Sequence, residues 1–75
     1  MKELVEYMAK SLVDNPESVR VNEVDGEQSL ILELKVAPED MGKVIGKQGR
    51  IAKAIRTVVK AAAVKQHKRV IVEII

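Results

Sequence analysis

Residues 42–50 read GKVIGKQGR. These nine positions hold three glycines, three cations (Lys43, Lys47 and Arg50), two β-branched residues and no acid. Glycine lets the backbone take positive φ and, lacking a Cβ, lets another backbone come close. Helical periodicity resumes directly after Gly49. The first N–H groups of that helix are unsatisfied and carry partial positive charge, so they favour an anion. Lys47 and Gln48 fall at the exposed tip with donors for phosphate oxygens, and Lys43 and Arg50 flank them. The chemistry this spacing predicts is non-covalent, a clamp on a phosphate backbone.

Other phosphate chemistries fail on spacing. A nucleotide-hydrolysing P-loop needs G-x-x-x-x-G-K-[ST]. Here three residues separate Gly42 from Gly46, and Gln48 follows the lysine. The dinucleotide fingerprint G-x-G-x-x-G fails in the same way. Nothing else suggests an enzyme. There is no cysteine, and Ser11, Ser18, Ser29 and Thr57 have no His–acid pattern around them. The one histidine, His67, falls in a polar turn and cannot build a metal site alone. No cofactor or metal is expected.

The elements that must position the loop follow from periodicity. KELVEYMAKSLV has Leu4, Val5, Met8, Ala9, Leu12 and Val13 at helical spacing, and the Asp14–Pro16 stretch DNP stops it. SVRVNEV alternates as a strand. DGEQ at Asp25–Gln28 signals a hairpin, with Gly26 available for positive φ. SLILELKV places Leu30, Leu32, Leu34 and Val36 on one face, and Ile31, Glu33 and Lys35 on the other. APEDMGKVIG begins a short helix, with Pro38 at its first position and Glu39 and Asp40 at the positive end of its dipole. RIAKAIRTVVKAAAVK is a longer helix, QHKR a turn and VIVEII a last strand with Val70, Val72 and Ile74 on one face. The order is α-β-β-α-α-β. There is no repeat, linker or low-complexity segment.

The totals bound the rest. Seventy-five residues, 47% of them hydrophobic, make one small domain with a marginal core. Glu3, Glu6 and Lys10 interrupt any apolar run near the start, so neither a signal peptide nor a membrane helix of about 20 apolar residues is expected. A cysteine-free chain of this kind fits a reducing cytoplasm. The formal net charge is only +2. Residues 1–40 nevertheless carry four cations against ten acids, and residues 41–75 carry nine cations against one acid, Glu73. One half of the chain therefore attracts a polyanion while the whole stays near neutral. Arg56, Lys60, Lys65, Lys68 and Arg69 extend that basic half, and simple solvation also accounts for them. Tyr7 is the only aromatic, which excludes modules that stack bases on aromatic platforms.

The long helix carries more apolar surface than one sheet needs. Its apolar positions span an arc of about 200° at 3.6 residues per turn. Ala52, Val58, Val59, Ala62 and Ala63 are the candidates for a self-association surface, with deep packing against the first helix as the alternative.

VIGKQGRIAKAIR resembles the KH domain, whose signature is (I/V)-I-G-x-x-G-x-x-(I/V). The match runs from Val44 to Arg50, with Ala52 at the final position and Ile51 one residue early. The element order corresponds to the type II, bacterial arrangement, and the whole length is similar to the small stand-alone KhpA-type members. The resemblance implies an α+β fold: one domain over residues 1–75, a three-stranded sheet and helices on one face. It implies a groove for roughly four nucleotides of single-stranded RNA, with Gly46, Lys47, Gln48 and Gly49 on the sugar-phosphate and Gly42, Lys43, Ile45, Arg50 and Lys53 at the border. It also implies an RNA chaperone or post-transcriptional regulator, a homodimer or a heterodimer with a KhpB-like protein, and links to cell shape and wall synthesis. The residues alone do not separate RNA from single-stranded DNA, nor choose which strand residues line the far wall, Leu32, Leu34 and Val36 or Ile31, Glu33 and Lys35. The rival is a KH-fold interaction module with little RNA binding. The intact cationic loop argues against it, and salt dependence separates the two.

Overall fold

The alternation of Leu30, Leu32 and Leu34 becomes the central strand of the molecule. In the computed structural model, which describes residues 1–75, β1 (Arg20–Asp25), β2 (Ser29–Lys35) and β3 (Arg69–Ile74) form one sheet in the order β1-β2-β3. β1 and β2 are an antiparallel hairpin with Val21 opposite Leu34, and β2 and β3 run parallel with Leu32 opposite Val72. A parallel pair cannot be joined by a tight turn. The crossover is made by α2 (Met41–Ile45) and α3 (Arg50–Val64), and α1 (Lys2–Leu12) precedes the sheet. The order is α-β-β-α-α-β, with the helices on one face.

That face holds the core. Val5 and Ala9 from α1, Leu30, Leu32 and Leu34 from β2, Val44 from α2, Ile55 and Val59 from α3 and Val72 from β3 are all buried. Leu32 and Leu34 are fully covered. Burying a side chain of this size stabilises by about 1.5–3 kcal/mol, so β2 anchors everything around it. The residues between, Ile31 and Glu33, lie on the face away from the helices.

Two local expectations change. Gly26 does not take positive φ, which among the glycines is confined to Gly46 and Gly49. The hairpin instead closes through Gly26 N–H donating to Ser29 O at 2.8 Å. The Pro38–Asp40 segment is a separate 3-10 turn ahead of α2. Pro38 occupies its first turn as expected, but Asp40 caps nothing in its own helix. Its carboxylate is used elsewhere.

Candidate nucleic-acid interface

An α-helix of five residues is not stable by itself. α2 persists because Val44 is buried in the core and its two ends are held. Its C-terminal end runs into Gly46 (φ 77°, ψ 171°), after which Lys47–Gly49 form a single tight turn. Gln48 (φ 59°) and Gly49 (φ 75°) are both left-handed. At Gly46 a Cβ would lie 2.5 Å from Ile51 Cγ1 and 2.8 Å from Ile51 N, so only glycine fits. At Gly49 and Gly42 a Cβ would meet nothing within 4 Å. Gly46 thus packs the loop onto α3, while Gly49 and Gly42 leave open space beside it.

Lys47, Gln48 and Arg50 are exposed around this space. The Arg50 guanidinium donates to Gln48 Oε1 at 3.5 Å. Gly49 precedes α3, and no side chain caps that helix, although the Arg50 N–H already donates to the Lys47 carbonyl. Ile45, 37% exposed, presents an aliphatic surface next to them. The structure brings Gly42, Ile45, Gly46, Lys47, Gln48, Gly49 and Arg50 to one corner, and Lys53 follows one turn along α3.

Lys43 differs from expectation. Its ammonium lies 3.1 Å from Asp14 Oδ2 and 3.7 Å from Asp40 Oδ1. The Asp14 carboxylate beside it raises its pKa above the ordinary lysine value. Its charge is shared with two carboxylates at the border of this corner. Sequence spacing did not reveal this, because Asp14 lies on a segment far away in the chain.

β3, the edge strand of the sheet, lies beside α3. A groove of about 420 Å³ runs between the two elements, with Arg56, Lys60, Lys68 and Arg69 as its cations and Val70 and Val72 on its strand side. Arg56 Nε donates to the Val72 carbonyl at 3.2 Å and ties α3 to the strand. Lys53, Arg56 and Lys60 follow one another by three and four residues, which places them on one flank of α3. That spacing was the available signal for a cationic wall.

The opposite flank of α3 is apolar. It borders a second groove of about 530 Å³ against α1, lined in part by Tyr7, Met8, Leu12, Ile51, Ala54 and Val58. Tyr7 is 72% exposed, so it is not a packing residue. Of the residues expected to self-associate, Ala52, Val59 and Ala63 are buried inside the protomer, under α3, and cannot reach a partner. Val58 is 46% exposed and Ala62 is half-buried. Counting the alanines as outward surface overstated the arc. No group of three His, Cys, Asp or Glu residues comes together, and no helix is long and apolar enough to cross a membrane.

The model of the KhpA/KhpB KH domain matches residues 2–74. The chain belongs to the KhpA/KhpB KH-domain family. It is 81% identical over its full length, and the full length of the relative, to the RNA-binding protein KhpA of Clostridium perfringens. It is 53% identical to the RNA-binding protein KhpA of Aquifex aeolicus, covering all of this chain and 95% of that one. Among solved structures, Era in complex with MgGDPNP and a segment of 16S ribosomal RNA superposes with a TM-score of 0.67 at 22% identity. That match covers 97% of this chain and 28% of Era, and it shows a shared KH fold. The corner at Gly46–Gly49 carries the spacing G-x-x-G, and α2 and α3 flank it.

Proposed function

We propose that this KH domain binds single-stranded RNA, with the GKQG loop holding the sugar-phosphate backbone and the α3–β3 groove receiving the bases. The observation that carries this is the loop: two glycines at positive φ, open space beside Gly49, a helix start with no side-chain cap and exposed cations at one corner. The cations along one flank of α3 continue the track into the groove. Aliphatic side chains, Ile45 and Val70 among them, supply the walls that aromatic platforms supply in other modules. RNA, not DNA, follows from the naming of the relatives. The role is that of a cytoplasmic chaperone or regulator without catalysis.

The test is a titration of labelled single-stranded RNA with wild type and with a Lys47→Asp, Gln48→Asp variant whose circular dichroism is unchanged. The variant is expected to lose about tenfold or more in affinity at ~0.1 M salt. Equal binding by both proteins would put the contact elsewhere on the basic half.

A second reading is favoured by the apolar groove between α1 and α3. It is a surface for another copy of this chain. Its lining is mostly apolar and Val58 on it is exposed, so a two-fold pairing would cover that surface on both copies. Two linked RNA grooves gain avidity. A KhpB-type partner would use the same face.

A further inference from the structure

We propose that Asp40 is a positioning residue: its buried carboxylate latches the segment after α1 to the start of α2 and so holds the GKQG loop in its clamping geometry. Asp40 is the one charged residue with no exposed surface. Its Oδ2 accepts the Asn15 backbone N–H at 3.0 Å, and its Oδ1 accepts the Asp14 backbone N–H at 3.3 Å. The bridge spans 25 residues of sequence. Two neighbours strengthen it. Asn15 Nδ2 donates to Glu39 Oε1 at 3.3 Å, and Lys43 closes across Asp14 and Asp40.

A carboxylate is buried at a cost unless its lone pairs are used. Here every buried side-chain polar atom has a partner. A carboxylate ahead of a helix would ordinarily cap that helix. Asp40 makes no such bond and reaches across to another segment. The consequence falls on α2, which is too short to fix its own direction. Val44 pins it from below and Asp40 pins its first turn from the side. Six residues after Asp40 the chain enters Gly46. A rotation of α2 would move the loop away from the start of α3, where Gly46 is already within contact of Ile51.

This proposal rests on the RNA reading only for its effect on affinity, and the loop itself reports without RNA. Amide hydrogen exchange of residues 46–49 and RNA affinity are measured for wild type, Asp40→Asn, Asp40→Ala and Lys43→Met. Leu30→Val, a core change at the far end of β2, controls for stability. All are compared under conditions where each is folded by circular dichroism. Asp40→Ala removes both acceptors, and it is expected to lose about tenfold in loop protection and about tenfold in RNA affinity. Asp40→Asn keeps one acceptor and falls between Ala and wild type. Lys43→Met keeps both backbone bonds and loses less loop protection than Asp40→Ala. Leu30→Val leaves the loop protected. Charge alone predicts the opposite sign, because removing an acid beside a basic loop favours RNA.

Unchanged loop protection in folded Asp40→Ala overturns the latch. So does an equal loss in Leu30→Val, which would make Asp40 merely stabilising. If wild type binds no RNA while Asp40→Ala still exposes the loop, the RNA reading fails and the latch stands.

Discussion

Gly46 and Gly49 share a sign of φ but not a reason for being glycine. Gly46 is needed twice, for φ and for the space that Ile51 leaves it. Gly49 is needed for φ alone, and Gly42 for neither. Alanine should therefore rank the three by urea denaturation. Gly46→Ala should cost about 2 kcal/mol or more, the sum of positive-φ strain and a clash against a fixed backbone. Gly49→Ala should cost about 1 kcal/mol. Gly42→Ala should stabilise by up to about 0.5–1 kcal/mol, since it sits inside a helix with open space outside. Equal effects at Gly46 and Gly49 would show that Ile51 yields. At this scale the sequence was legible wherever function depended on neighbours in the chain. The glycines, Lys47, Gln48 and Arg50 could be read as a unit. Lys43 could not, because its environment is set by a carboxylate on a segment that only the folded chain brings near.

Among elements, α3 divides the surface. Its inward face of Ala52, Ile55, Val59 and Ala63 is buried. One flank carries Lys53, Arg56 and Lys60, and the other carries Ala54 and Val58. Helical spacing puts Lys65 on the apolar flank, away from the cationic one. Replacing Lys53 or Lys60 with Met should lower the slope of log affinity against log salt by about 0.7 each, the value for one phosphate contact on a single strand. Lys65→Met should leave the slope unchanged. A uniform drop in all three would mean that diffuse charge, not a track, draws the RNA. The helix itself was plain from its periodicity. Which flank meets which neighbour was not, since that depends on β3 lying at the edge of the sheet and on α1 lying across from it. The strand side of the groove was hidden for the same reason.

At the scale of the whole molecule, the two surfaces are separate enough to be used together. Val58→Glu should make the protein monomeric in sedimentation equilibrium at concentrations where wild type associates. It should change stability by only about 0.5 kcal/mol, because the position is exposed. A wild type that stays monomeric to millimolar concentration would remove self-association and leave a different partner for that face. The fold order followed from periodicity, because each element has a clean apolar pattern. The partition of apolar surface between core and partner did not follow, because alanine fits either. Only the packed structure shows three of the five candidate positions turned inward. α3 is thus a helix with almost no spare positions: one side is core, one carries the cations beside the α3–β3 groove, one faces the apolar groove, and a narrow crest around Thr57 and Ala61 remains. Substitutions in this molecule should therefore be absorbed elsewhere, in the exposed β1–β2 hairpin and along the outer face of the sheet, where a changed side chain disturbs neither neighbour.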